Sequence, residues 1–356
     1  MKYLLLLSKD NLELARKEAV AVLNLRKVKQ DNGILLIDCN KILVASRLAY
    51  SKKIFKFLFE SNKKDIVKKI QNFSWKKYYK RNFCVRILNF TSKLSKYSEI
   101  YSEKELADII WRQLKNNLTF KNSLNKPKVD LENPRTNIYF IFTNKKVYAT
   151  LLIKEIEHNF EQRKPHNRAV LYPVSLHPKL ARAMVNLTSA KKGNIILDPF
   201  CGVGGILIEA GLLGMKPVGY DIDEKMVMNS KLNLEYYNIK RFLLERRDAI
   251  QLKEPVDYVV TDLPYARNTK IKTTSENVKI SLKIDINDSP RIKALEKFYY
   301  EFLIALKHSL RKKAVIGFPD FINYKKLIRK SKLKIGYEVT HYLHKSLSKK
   351  IVVVEP

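Results

Sequence analysis

Cysteine is scarce: the 356-residue chain holds three, Cys39, Cys84 and Cys201, far apart and without any C-x-x-C spacing. Neither a disulfide framework nor a zinc ribbon can be built from them, which suits a reducing cytosol, so a cytoplasmic protein is expected. Clustered metal ligands are lacking too. His341 and His344 form an H-x-x-H pair with no further ligands around it, and no metal is expected there. Long apolar runs are absent as well. Met1 to Ser8 holds only a short one, with no small-residue cleavage site after it, and it reads as a first strand. No membrane partner follows. Internal repeats are missing, which excludes a solenoid. Acidic residues are few: 35 Asp and Glu face 69 Lys and Arg, leaving a net charge of +34.

What is present is apolar content enough to fold. Hydrophobic residues make up 46% of the chain, and its length allows two or three domains with their own cores. The positive excess attracts polyanions. A lysine-rich composition accounts for part of it, but the charge is unevenly spread. Residues 41–80 carry 12 basic and 2 acidic residues, a balance of +10, and residues 311–356 carry 12 and 3, a balance of +9. Residues 198–262 carry 8 basic and 11 acidic residues, a balance of −3. Since no segment reaches membrane-spanning length, the expected polyanion is nucleic acid.

Apolar periodicity divides the chain. The first part is a small α+β region: strands over 2–7 and 33–38, and helices over 12–25 and 43–59. A second unit follows, with a strand over 82–89, an amphipathic helix over 103–115 and a hairpin formed by 137–143 and 146–153 across Asn144-Lys145. Residues 154–178 form a charged connector that includes Pro165, Pro173 and Pro178. After a helix over 179–189, strands and helices alternate to the end, the mark of a doubly wound, mostly parallel sheet. This predicts strands at 194–197, 217–220, 242–244, 258–260 and 314–318. Helices are predicted at 206–213, 224–237, 291–310 and 324–330, and a closing strand pair at 336–343 and 351–353.

The chemistry sits at predicted strand ends. Asp198-Pro-Phe-Cys-Gly202-Val-Gly204-Gly205 follows an apolar strand and opens a helix. Glycines there let a ligand approach the backbone at the carboxyl edge of the sheet. A nicotinamide dinucleotide site competes for this pattern, but the acid before the glycines would repel a pyrophosphate and would suit a cationic amino-acid end. Asp221 closes the next strand, 17 residues after Gly204, where it suits a ribose diol. Asp248-Ala249 follows the third strand; a carboxylate there could accept from an adenine amine, and taken alone it reads equally as a solvated loop aspartate. Thr261-Asp262-Leu263-Pro264-Tyr265 follows the fourth. A ring to stack on a planar base and acceptors for an exocyclic amine belong together. Two acceptors draw the amine toward a tetrahedral shape and free its lone pair for attack. Taken alone, the segment reads equally as a turn with Tyr265 in the core.

The ordered series resembles the class I S-adenosylmethionine-dependent methyltransferases that modify exocyclic amines of nucleic acids. Their fourth motif is (Asp/Asn/Ser)-Pro-Pro-(Tyr/Phe/Trp), and Leu263 stands here at the second position, where a main-chain carbonyl is the acceptor. Three segments, DPFCGVGGILIEAG (198–211), RKPHNRAVLYPVSLHPKLARAMVNL (163–187) and TDLPYARNTK (261–270), resemble the archaeal tRNA guanine-10 N2-methyltransferase family. Ala266 stands where that family usually has Gly. The resemblance covers the whole chain in architecture and about half of it in specific residues.

It implies a ferredoxin-like region over 1–70, a THUMP domain over 71–155, a linker over 156–172 and a Rossmann-like methyltransferase domain with a mostly parallel seven-stranded sheet over 173–356. It implies tRNA as partner and substrate. The expected product is N2-methylguanosine at position 10, then N2,N2-dimethylguanosine. Asp198, Phe200, Cys201, Gly202 and Gly204 would line the methionine end of S-adenosylmethionine, Asp221 its ribose, and Asp248 with Ala249 its adenine. Asp262, Pro264 and Tyr265 would hold the flipped guanine. The alternatives are a THUMP methyltransferase acting on another tRNA guanosine, such as position 6, and an RNA-binding protein with a vestigial catalytic fold. The sequence leaves open whether one methyl group or two are added, a small activating protein partner and the oligomeric state.

Overall fold

The computed structural model describes residues 1–91, 101–117, 126–172, 175–265, 289–344 and 347–356. The chain forms two compact units. One comprises Met1–Leu12, Leu25–Ser46 and Ser51–Glu157, and the other Glu13–Asn24, Arg47–Tyr50 and His158–Pro356.

The first unit is one seven-stranded sheet in the order β2-β3-β1-β4-β7-β6-β5. Its strands are β1 (Lys2–Leu7), β2 (Lys29–Asp31), β3 (Ile34–Asp38), β4 (Ser51–Ser61), β5 (Phe83–Asn89), β6 (Thr136–Phe142) and β7 (Val147–Glu155). The sheet is continuous across residues 2–155 because β4 pairs antiparallel with β1 on one side and β7 on the other. The helix expected over 43–59 is not formed: a 3-10 turn at Ile42–Arg47 is followed by β4. Ile54, Phe55, Leu58 and Phe59 recur at a spacing that also suits a helix. Aromatic and β-branched content, with a partner strand on each side, decides for the strand. Helix α1 is formed by Leu12–Leu23. A core around Trp75, Phe83 and Phe140 lies under the helices α2 (Ile66–Gln71) and α3 (Glu103–Asn117). Trp75 is fully buried and donates its indole N–H to the Ile70 carbonyl at 2.9 Å, so its one polar atom is satisfied.

The second unit carries α4 (Pro178–Leu187), β8 (Ile195–Asp198), α5 (Gly205–Leu212), β9 (Lys216–Asp221), α6 (Glu224–Tyr236), β10 (Leu243–Arg246), β11 (Val256–Asp262), α7 (Ser289–Ser309), β12 (Leu310–Pro319), α8 (Tyr324–Lys330), β13 (Lys334–His344) and β14 (Leu347–Glu355). Its sheet order is β10-β9-β8-β11-β12-β14-β13. The links from β10 to β12 are parallel, and β14 runs antiparallel to both β12 and β13. Valines and isoleucines fill β11, β12 and β14 because these strands are covered on both faces. The α/β architecture and the strand–helix alternation after residue 189 are therefore as expected.

The helix over 12–23 clusters with this second unit through Glu18. That carboxylate is fully buried and accepts from Ala49 N at 2.7 Å, Tyr50 N at 2.9 Å and Asn186 Nδ2 at 2.7 Å. Arg47 donates to Asn186 Oδ1 at 2.6 Å. Burial still holds Glu18 above the usual carboxylate range.

Candidate active site

Parallel neighbouring strands end along one edge of a sheet, so residues closing β8, β9, β10 and β11 meet there. Asp198 closes β8, Asp221 closes β9, Asp248 follows β10 and Asp262 closes β11. The strand register pairs Asp198 with Gly219 and Arg246 with Asp221, so Asp221 and Asp248 each stand two residues beyond the level of the acid on the strand before, a stepped row along the edge.

Asp198 is only 2% exposed and braces the turn from beneath. Its Oδ1 accepts from the Thr261 hydroxyl at 2.7 Å and from Phe200 N at 3.1 Å, tying the first motif to the fourth. Burial pushes its pKa up to about 7, against those two hydrogen bonds. Asp221 lies at the turn itself: Oδ2 accepts from Gly202 N at 2.9 Å and Oδ1 from Asp223 N at 3.0 Å. Burial raises this carboxylate too. Gly202 and Gly204 have φ of +51° and +83°, the left-handed region that favours glycine. A Cβ at Gly202 would meet nothing within 4 Å, whereas one at Gly204 would strike Ser230 Oγ at 2.5 Å. The turn thus leaves open space above Gly202 and a tight seat below Gly204. Cys201 is buried, and burial pushes its thiol well up. Phe200 turns its ring edge-on to Phe298 and Phe302 of α7, at 5.7 and 5.0 Å between centroids. Asp248 caps the 3-10 turn Ala249–Gln251 by accepting from Ile250 N at 3.1 Å, and Ala249 is buried.

The fourth motif is held from three sides. Leu263 N donates to Gly317 O of β12 at 3.1 Å. The Tyr299 hydroxyl of α7 donates to the Pro264 carbonyl at 2.7 Å. Lys349 of β14 places its Nζ 2.6 and 2.5 Å from the two oxygens of Asp262, and 4.8 Å from the centroid of the Tyr265 ring. The Tyr265 hydroxyl is buried and has no hydrogen-bond partner among the described residues. Ala266 and the rest of the segment to 270 lie outside the described residues, as does Pro173 of the connector.

The structure therefore brings all the expected acids to one edge, and it adds two residues the motif reading missed. Tyr299 carried no signal beyond its place in an apolar helix. Lys349 did: in the strand over 347–355 it alternates with Ile351 and Val353 on the covered face, so a lysine there is out of pattern.

The donor set suits a cationic amino-acid ligand. Two carboxylates, Asp198 and Asp221, are desolvated beside an open glycine turn, and their hydrogen bonds given above come from neutral donors. Such a pair gains when a positive group replaces the lost water.

This sheet order, with a glycine turn after the first strand and acids at successive strand ends, defines a class I methyltransferase domain. Residues 165–282 match the family model described as the RMKL-like methyltransferase domain. A tRNA (guanine(10)-N2)-dimethyltransferase of Methanothermobacter thermautotrophicus is 32% identical over 100% of this chain and 99% of its own. Its counterpart from Methanocaldococcus jannaschii is 36% identical over 66% of this chain and 72% of its own. A solved structure of a possible methylase from Clostridium difficile shares the fold at a TM-score of 0.51 and 16% identity, covering 100% of this chain and 99% of that one. The chain belongs to the tRNA (guanine(10)-N2)-dimethyltransferase family.

Proposed function

We infer that the protein transfers methyl groups from S-adenosylmethionine to the exocyclic N2 of guanosine 10 in tRNA, giving N2-methylguanosine and then N2,N2-dimethylguanosine. The observation that carries the reading is the ordered edge: Asp198, Asp221, Asp248 and Asp262 at four consecutive strand ends, with Tyr265 after the last. S-adenosylmethionine supplies a methyl group activated on a sulfonium centre. Asp198, Phe200, Cys201, Gly202 and Gly204 line its methionine end, Phe200 through its backbone since its ring packs on α7. Asp221 accepts from the ribose hydroxyls with the lone pairs left over from its two backbone bonds, and Asp248 with Ala249 meets the adenine. Tyr265 stacks on the guanine, and Asp262 and the backbone before Pro264 accept from N2. The bound cofactor would supply a methyl group to the N2 lone pair, with its sulfonium sulfur taking the electron pair of the broken C–S bond and leaving as a neutral thioether. The surplus proton on nitrogen then leaves to Asp262 or water. Alignment of donor and amine supplies most of the acceleration. A base inside folded tRNA must be extruded first. In vitro methylation of an unmodified tRNA transcript, with the modified nucleotide located by mass spectrometry, tests this. Product at another guanosine would transfer the chain to the alternative substrate, and no product with bound cofactor would make it a binder.

Residues 1–70 and 71–155 act in this reading as the ferredoxin-like and THUMP regions that engage tRNA by shape and phosphate contacts. What supports it is the charge over 41–80, where Lys64, Lys68, Lys69 and Lys80 are exposed. Changing those four to Gln in the full chain should weaken tRNA binding and flatten its salt dependence. The slope of log K against log salt should fall by about 0.7–0.9 for each phosphate that is no longer neutralised. An unchanged slope in filter binding across salt concentrations would move the RNA contact elsewhere. No helix among the described residues is long and apolar enough to cross a membrane; with the unpaired cysteines, this supports a cytoplasmic enzyme.

The cofactor assignment has its own test. Asp221→Ala should weaken S-adenosylmethionine binding about tenfold or more, since it strands two ribose hydroxyls at about 1–3 kcal/mol. It also frees Gly202 N, whereas Asp221→Asn keeps the shape and should lose less. Affinity for tRNA should stay near normal. Calorimetric cofactor affinity unchanged in Asp221→Ala would remove the residue from the site.

A further inference from the structure

We propose that Lys349 is a positioning residue for methyl transfer: its ammonium clamps the Asp262 carboxylate at a fixed tilt against the Tyr265 ring, so that the incoming amine meets acceptors already aimed. The proposal rests on the reading of Asp262 and Tyr265 given above.

Four observations carry it. First, the contact is two-pronged. Nζ lies 2.6 Å from Oδ1 and 2.5 Å from Oδ2 of Asp262, which fixes the plane of a carboxylate that would otherwise rotate about its Cβ–Cγ bond. Each oxygen retains a lone pair for a substrate donor. Second, the lysine is withdrawn from solvent. Its side chain is 4% exposed against 24% for Asp262, so it faces inward and the acid faces the open edge. That exposure excludes the usual work of a lysine in a basic chain, a contact with phosphate. Third, the same Nζ sits 4.8 Å from the centre of the Tyr265 ring, within reach of a cation–π contact, so one group touches both residues that meet the base. Fourth, a passage is left for it. The β12–β14 register sets Gly317 beside Ile351 and Pro319 beside Lys349. A Cβ at Gly317 would fall 2.6 Å from Asp262 Oδ1 and 3.3 Å from Lys349 Cδ. Glycine at 317 therefore admits the pair where any larger residue would push it apart.

A lysine that only neutralises a buried acid would serve folding; one that aims it would serve the rate. The full-length enzyme, unmodified tRNA transcript and S-adenosylmethionine separate these. Lys349→Met should lose on the order of 10²-fold in single-turnover rate at saturating ligands, as expected when a reacting geometry slips by about 1 Å. The dissociation constants of cofactor and tRNA should stay near wild type. Lys349→Arg, which keeps a charged two-pronged donor, should recover part of the rate. Because Lys349 acts through Asp262, the loss should nearly vanish, to within about twofold, in an Asp262→Asn background. Should Lys349→Met fail to fold, Lys349→Gln, which is polar but uncharged and one bond too short to hold both Asp262 oxygens, is read in the same way. A wild-type rate for the lysine variant overturns the proposal. So does a loss that multiplies fully with that of Asp262→Asn, or one explained by weakened ligand binding. These outcomes leave the fourth motif standing if Asp262→Asn is itself impaired. A wild-type enzyme that methylates no guanine N2 overturns instead the reading beneath.

Discussion

Asp262→Asn transfers methyl groups about 10²–10³ times more slowly than wild type in a single turnover, with both ligands still bound; that is the expected result. The carboxylate accepts from an amine whose lone pair is being released, so the bond strengthens as the transition state forms, and Asn offers one neutral oxygen in place of two charged ones. The choice of substitution matters because of Lys349. Asp262→Ala leaves an ammonium that is 4% exposed without its counter-charge. Breaking a buried pair costs about 3–5 kcal/mol, and the partial exposure of Asp262 brings this toward the lower end. Loss of activity in the alanine variant alone would therefore mix chemistry with folding. Asp262→Asn keeps the volume and one acceptor, and the double variant Asp262→Ala with Lys349→Met removes both charges together. At Tyr265, Ala should be severe, since stacking on a base is worth about 1–3 kcal/mol. Phe should be mild: the hydroxyl is buried without a partner among the described residues, so removing it forfeits no hydrogen bond. Near-wild-type transfer by Asp262→Asn would take this residue out of the mechanism.

How much of this was legible follows from sequence distance. Asp198, Asp221 and Asp262 stand directly after apolar strands, so a chain read in order puts them at successive strand ends. Helices such as α6 and α8 announce themselves by caps and periodicity; Asp223 and Asn323 each accept from the backbone two or three residues on. Lys349 stood out of pattern in its strand, but its role could not be found that way. Its partner is 87 residues distant, and the contact depends on β14 returning antiparallel beside β12. In composition it was one more charge in a basic run. The stretch 43–59 failed for another reason. Its apolar residues satisfy a helical and a strand period alike, and two partner strands far away in sequence settle it. Phe200 shows the same limit within the site: the motif fixes its place in the turn, while Phe298 and Phe302 of a distant helix decide where its ring points.

The largest expected effect on folding comes from Glu209, on α5 just beyond the glycine turn. Its side chain is 0% exposed and lies between two arginines, Arg163 Nε at 2.7 Å and Arg182 Nη2 at 2.7 Å, themselves 12% and 8% exposed. Arg163 belongs to the 3-10 turn Phe160–Arg163 and Arg182 to α4, so one carboxylate joins α5, α4 and that turn. Burial already lowers the pKa of Arg182, a sign that its charge is held at a desolvation cost that Glu209 offsets. Glu209→Ala should therefore cost about 3–5 kcal/mol, because two buried cations lose their shared partner and repel each other. Glu209→Gln keeps the volume and should cost nearly as much, which separates charge from packing. Replacing all three residues by Met should recover most of the loss, since an apolar cluster of similar volume has no ions to desolvate. Urea unfolding followed by circular dichroism reads both units. The chain's two tryptophans, Trp75 and Trp111, both lie in the first unit, so their fluorescence reports on that unit and serves as the internal reference. A drop in the dichroism midpoint equivalent to less than about 1 kcal/mol for Glu209→Ala, the range of an exposed pair, would mean that water reaches the cluster and that the α4–α5 junction is held by its apolar contacts alone.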